Sequence, residues 1–337
     1  MEKTIFIHIG PHKTGTTTIQ SGLAINKKTL RRQHVLAPMS GRPYLNNAGN
    51  HNLSWELRIP NNPGVKPEYG TWKDFIREIK KNRQIQKFIL SSEDFCLLDE
   101  VSIRTIREYL SDYQVKVIIY LRRQDEAHQS LWVEFAKNSW NLPIVGSFEE
   151  WLEEYDYAIR NYNYLEIISK WEAVFLQENM ILRIFETSNF KPSLFHDFLS
   201  LCDIQHNSII TPEHSNISPG VKTIEAIRLL KNHIDFSLLD EKKWNPMAMR
   251  LIEFGAKQGW NDTKVNYLSE ELSSKIMGRH EMANSILAKK YFNREILFEK
   301  SKDVSHAATS FTYDDFSKDE VISIFSAVIN LLTFHHG

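Results

Sequence analysis

Cysteine is almost absent from this chain of 337 residues, which carries only Cys96 and Cys202. The two lie far apart and match no metal-ligand or redox spacing, so they read as reduced, packed thiols, which suits a reducing compartment. An excess of charge of one sign is also missing, with 41 basic side chains against 42 acidic ones. No broad field advertises nucleic acid or an anionic membrane as a partner, and any anion must be held locally. No apolar run approaches the roughly 18 residues needed to cross a bilayer. The short run Ile5–Ile9 is too brief for a secretory leader and lacks a cleavage site. Repeats and low-complexity tracts are lacking as well. What remains is a globular chain, 42% apolar and able to bury a sizeable core. It is expected in the cytoplasm, without stable membrane insertion and without a nucleic-acid partner.

Four short runs are apolar on both faces, Thr4–Ile9, Lys87–Leu90, Val115–Leu121 and Met180–Phe185, as buried parallel strands require. Helix-period segments alternate with them at Gly15–Asn26, Val101–Leu110, Asp125–Asn138 and Lys191–Cys202. The alternation predicts an α/β fold, a three-layer parallel sheet with helices on both faces. Beyond about residue 203 the strand signals stop, and helices are expected near Pro219–Asn232, Pro246–Gln258, Glu270–Phe292 and Asp315–Thr333. Ser218-Pro219 reads as an N-cap and first helical residue. The division expected is an α/β core over 1–203 and a helical portion over 204–337 packed on it. Residues 37–71, rich in Pro, Gly and Asn and including Pro60-Asn-Asn-Pro-Gly64, read as an irregular lid or acceptor loop.

One more absence is informative. Gly10-Pro-His-Lys-Thr-Gly-Thr-Thr has the frame of a phosphate-binding G-x-x-x-x-G-K-[ST] loop, yet Thr16 stands where the lysine belongs and Lys13 comes three residues early. The loop joins a buried strand to a helix, so the N–H groups of Gly15, Thr16 and Thr17 point at whatever sits there, and an anion is the natural occupant. A cation at the apex suits a donor whose first anhydride bond breaks, as in the phosphosulfate of 3′-phosphoadenosine 5′-phosphosulfate (PAPS). There it offsets charge gathering on the departing phosphate oxygen.

Gly10-Pro-His-Lys-Thr-Gly-Thr-Thr-Thr18, continued to Gln20, resembles the 5′-phosphosulfate loop of PAPS-dependent sulfotransferases of the bacterial K-T-G-T-T-x-x-Q type. The resemblance implies a P-loop NTPase-like fold and a donor site built from His12, Lys13, Thr14, Gly15, Thr16, Thr17 and Thr18. A second stretch, Val115-Lys-Val-Ile-Ile-Tyr-Leu-Arg122 with Ser130 eight residues later, matches the family's 3′-phosphate anchor. That spacing favours Arg122 over Arg123, although Arg-Gln-Asp follows where many members have Asn-Pro. Arginine suits the task because its planar fork binds phosphate oxygens in pairs.

The family places a catalytic base near the end of the preceding strand, where Lys87-Phe-Ile-Leu-Ser-Ser-Glu93-Asp94 carries carboxylates. Glu93 is the first choice and His51 the alternative; His12 is read as shaping the loop and His8 as packed in the sheet. Lys13 is assigned to the leaving group, and no metal is expected. Tyr44, Trp55, Tyr69 and Trp72 could serve a sugar acceptor or anchor their loop. His214-Ser-Asn-Ile-Ser-Pro219 and Arg279-His-Glu-Met-Ala-Asn284 also resemble family segments, with Arg279 a further candidate for phosphate or acceptor. The reaction implied moves a sulfuryl group from PAPS to a hydroxyl, on a carbohydrate or surface polysaccharide, releasing adenosine 3′,5′-bisphosphate (PAP). A P-loop kinase for a small hydroxyl compound and a non-catalytic PAP-binding protein remain the alternatives.

Overall fold

The computed structural model describes residues 2–43, 49–58, 65–138, 146–154, 162–186, 190–212, 219–232, 241–261, 265–300 and 313–333. Tyr44, Pro60–Gly64 and His214–Ser218 therefore lie outside the described residues. The chain divides into two compact units, the first made of 1–123, 159–213 and 280–299 and the second of 124–158, 214–279 and 300–337. Each unit is discontinuous in sequence, whereas the expected boundary at residue 203 is a single linear cut.

The first unit holds a five-stranded, all-parallel sheet in the order β2-β3-β1-β4-β5. Its strands are β1 (Thr4–His8), β2 (Val35–Leu36), β3 (Lys87–Ser91), β4 (Gln114–Leu121) and β5 (Met180–Ile184). Strand β2 is the one the apolar pattern misses, because two residues are too few to show a period. Side chains alternate across the sheet. Phe6, Ile89, Ile118 and Tyr120 bury one face against Ile19 and Leu23 of α1 (Thr16–Ile25) and Phe195 and Phe198 of the helix Leu194–Leu201. The alternate residues Ile5, Ile7, Phe88, Leu90, Val117 and Ile119 are equally buried. On that other face lie Phe75 of the helix Trp72–Lys81, edge-on to Phe88, and the helices Glu100–Tyr109 and Tyr164–Phe175. The three-layer α/β arrangement follows.

Two local expectations change. The stretch 37–71 is not irregular throughout, since His51–Arg58 forms a helix, here α3, with α2 (Lys27–Arg32) preceding it; the Trp72–Lys81 helix is α4. Trp72 is fully buried, donating its indole N–H to Leu53 O at 2.9 Å, so it is core and not an acceptor platform. In the second unit the first helix, Gln124–Asn138, carries Ser130. There the helix Val221–Lys231 is capped by Gly220 rather than started by Pro219, and the next runs Glu241–Lys257 with Pro246 inside it. Leu251, Ile252 and Trp244 pack with Ile227 to form this unit's core.

Candidate functional site

The phosphate-type loop leaves β1 after His8 and enters α1 at Thr16. Gly10 has φ of 83°, and a Cβ there would lie 2.7 Å from Glu93 Cα, so only glycine lets the loop cross the end of β3 this closely. Gly15, φ 77°, is the N-cap of α1 and leaves its first turn without a side-chain cap. Lys13 also sits in the left-handed region at φ 64°, a conformation costing roughly 1 kcal/mol or more in a residue with a Cβ. Three bonds hold this backbone in place. Thr14 Oγ1 donates to Pro11 O at 2.6 Å, Tyr162 Oη to His12 O at 3.3 Å, and Arg122 Nη1 to Lys13 O at 3.1 Å. Thr14 and Thr16 are buried, while His12, Lys13, Thr17 and Thr18 reach the accessible surface.

Arg122 follows the last residue of β4. Tyr164 Oη donates to its carbonyl at 2.7 Å, and its guanidinium carbon lies 5.6 Å from the centre of the Phe185 ring. Its neighbour Arg123 donates instead to Glu299 O at 2.5 Å. The loop and Arg122 thus meet at the carboxyl ends of β1 and β4, where ligands of open parallel sheets bind. Ser130 lies in the other unit, as does Arg279, which lines a groove with Glu149, Glu153 and Lys275.

At the end of β3, Ser92 caps a short 3-10 turn, Glu93–Leu97, that presents Glu93 and Asp94. Helix α3 brings three side chains to them from one face, because positions 51, 55 and 58 are four and three residues apart. His51 Nδ1 lies 2.8 Å from Ser92 Oγ, 3.6 Å from Asp94 Oδ2 and 4.0 Å from Glu93 Oε2. Trp55 stacks on His51 and donates its indole N–H to Asp94 Oδ2 at 2.7 Å; Arg58 Nη1 is 3.9 Å from Asp94 Oδ1. From the glycine loop, His12 Nε2 comes within 3.8 Å of Asp94 Oδ1, and from α1, Gln20 Nε2 donates to Glu93 Oε2 at 3.0 Å.

No family model matches the chain. An uncharacterized protein of Archaeoglobus fulgidus is 24% identical over 220 residues, taking in 64% of this chain and 56% of that one. The chain therefore spans little more than half of that relative. Among solved structures, a sulfotransferase from Alicyclobacillus acidocaldarius aligns at a TM-score of 0.45 and 15% identity, over 71% of this chain and 99% of its own. A mouse sulfotransferase in complex with PAP aligns at 0.33 and 16%, over 62% and 61%. A retinol dehydratase in complex with retinol and PAP aligns at 0.27 and 11%, over 99% and 82%. Overlaps and identities this low leave the activity to be read from the site itself.

Electrostatics favour an ionised carboxylate beside the loop. Burial pushes the Glu93 carboxyl up, but His51 and His12, its own backbone N–H and the Gln20 amide together outweigh burial and hold it below the ordinary carboxylate value. His8, fully buried beneath, is driven down to about 4 by desolvation, which Glu93 only partly opposes. Sequence reasoning named Glu93, His51 and the loop, but it gave Asp94 no partners and Arg58 no role. A helical period at 51, 55 and 58 was the available signal, hidden by the Pro, Gly and Asn residues around it.

Proposed function

We propose that this chain is a PAPS-dependent sulfotransferase. The supporting observation is that the loop of Lys13, the strand-end Arg122 and the carboxylate of Glu93 gather at one end of one sheet, within one unit. The site suits an anionic nucleotide. The first turn of α1 has no side-chain cap, and His12 Nε2 is buried with no hydrogen bond among the described residues. PAPS, when bound, supplies the sulfuryl group and the phosphate oxygen that leaves it. The backbone N–H groups of the loop, with Thr16, Thr17 and Thr18, hold the 5′-phosphate end, and Lys13 provides the cation that stabilises the leaving oxygen. Arg122 holds the 3′-phosphate, with Ser130 as its second donor on the strength of the family resemblance.

Glu93 is the base we favour, taking the proton of the acceptor hydroxyl. His51 is the weaker choice because Nδ1 is engaged by Ser92 and Nε2 lies against Gly49, where a Cβ would come within 2.2 Å of it. His51 then acts as a neighbour whose attraction helps hold the Glu93 carboxyl down. The acceptor we propose is a carbohydrate or surface polysaccharide, supported by half-buried Trp55 beside the two carboxylates, the type of aromatic surface on which sugar rings pack. Cys96 and Cys202, free and buried, fit a cytoplasmic setting.

Calorimetric titration with PAP tests the reading. Arg122→Ala should weaken binding at least about tenfold, the loss of a charge-assisted contact worth about 1.5–3 kcal/mol. Tight ATP binding without PAP binding would favour the kinase reading. PAP binding without transfer of sulfate to any of a broad panel of glycans would favour a silent nucleotide-binding protein.

A further inference from the structure

Gln20 ends the loop motif, yet no donor-binding task falls to it. It is buried on α1, facing β3, and its amide nitrogen lies 3.0 Å from Glu93 Oε2 and 3.4 Å from Ser91 Oγ. Ser91 Oγ lies in turn 2.9 Å from His8 Nδ1. We propose that Gln20 is a positioning residue that aims the Glu93 carboxylate and holds it as a proton acceptor, itself steered by Ser91 and His8.

The chemistry of the groups fixes the direction of both bonds from Gln20. An ionised carboxylate only accepts, so the nitrogen end of the Gln20 amide must face Glu93. That nitrogen has a second hydrogen, which points to Ser91 Oγ and makes the serine oxygen an acceptor. The serine hydroxyl has one hydrogen and two lone pairs, so it meets the Nδ1 of a neutral His8 as donor or as second acceptor according to the imidazole tautomer. Burial enforces that neutrality. His8 sits edge-on to the rings of Tyr120 and Phe198, an apolar setting that resists an imidazolium. Donation therefore runs from Gln20 to Glu93 on one side and from Gln20 to Ser91 on the other, with the serine oxygen also paired to His8 Nδ1. The arrangement pins Oε2 of Glu93 from inside the protein. The charged and titratable groups around Glu93 are His51 of α3, His12 of the loop and His8 of β1, with Asp94 and Cys96 on its own element. Gln20 is the neutral member of the set, and its removal changes hydrogen bonding without changing charge.

The inference rests on the reading of Glu93 as the base, but its test needs no acceptor. The full chain, with glutamate labelled at Cδ, is titrated by carbon NMR, the Glu93 resonance being assigned by its loss in Glu93→Gln. In wild type, Glu93 should titrate below the ordinary carboxylate range. In Gln20→Met, close in shape but without a donor, the midpoint should rise by roughly half a pH unit or more, since a bond to the charged form has been lost. Gln20→Glu, the isosteric second variant, should raise it further by placing two carboxylates about one hydrogen bond apart. PAP affinity should stay within about twofold in both. An unchanged Glu93 midpoint in these variants, with PAP binding intact, overturns the inference alone. Failure of the wild-type chain to bind PAP would sink the sulfotransferase reading and leave the pairing measured in the free protein standing.

Discussion

Lys13 combines two properties that are seldom found together, a left-handed backbone and a cationic side chain at the mouth of a glycine loop. Holding that conformation costs free energy, which the bond from Arg122 to the Lys13 carbonyl helps to offset. Lys13→Ala should therefore cut the rate of sulfuryl transfer by about 100-fold or more, the usual scale for losing one preorganised electrostatic contact, with little loss of thermal stability. A kcat within a few-fold of wild type would remove the lysine from the leaving-group role. His8 yields a separate prediction. Its folded pKa of about 4 lies below the ordinary value near 6.5, so the unfolded chain takes up the proton first as pH falls. Its contribution to stability is present above pH 6.5 and is lost progressively as pH drops through about 4, by about 3 kcal/mol in all. Urea midpoints measured from pH 8 to 4 should show this slope, and His8→Asn should flatten it.

Helix α4 shows how an element positions a site it does not touch. Thr71 and Asp74 form a capping box at the start of α4, each side chain answering the other's backbone N–H. The next residue, Trp72, bonds through its backbone N–H to Glu56 and through its indole to Leu53 O, both on α3. Thus α4 steadies the helix that carries His51, Trp55 and Arg58. Thr71→Ala should lower unfolding free energy by about 1 kcal/mol in urea denaturation while leaving PAP affinity unchanged. A weakened PAP affinity would mean that α4 is coupled to the glycine loop as well. Of these elements the sequence showed little. Strands β1, β3, β4 and β5 were legible because burial on both faces leaves an uninterrupted apolar run. Helix α3 was not, since its buried face includes the polar residues His51, Asn52 and Ser54; His51 and Asn52 are made tolerable there by partners outside the helix, while the Ser54 hydroxyl has no hydrogen bond among the described residues.

For the whole molecule, a near-neutral balance of charge means that any nucleotide is held by a few local cations and N–H groups. Lys13, Arg122 and the helix terminus supply in this reading the positive charge that Mg²⁺ supplies to enzymes acting on ATP. EDTA should accordingly leave PAP binding and sulfuryl transfer intact, and a strict Mg²⁺ requirement would count against the assignment. Among the described residues no helix is long and apolar enough to cross a membrane. Ser130→Ala in the PAP titration tests the second 3′-phosphate donor that the family resemblance implies; a loss of about threefold or more is expected, and no change would remove Ser130 from the proposed site.

Periodicity and spacing are local properties, and they carried the parallel α/β architecture, the glycine loop with its early lysine and the arginine at a strand end. Neighbourhood between distant side chains is not local. Arg122 and Lys13 are 109 residues apart in sequence, Gln20 and Glu93 73 apart, and His51 and Ser92 41 apart. Each pair meets only because parallel strands in fixed register end at the same edge of the sheet, and the helices packed on it turn particular faces inward. The tertiary structure alone therefore decided that Asp94 would gather His12, His51, Trp55 and Arg58, and that Glu93 would be gripped from within by Gln20.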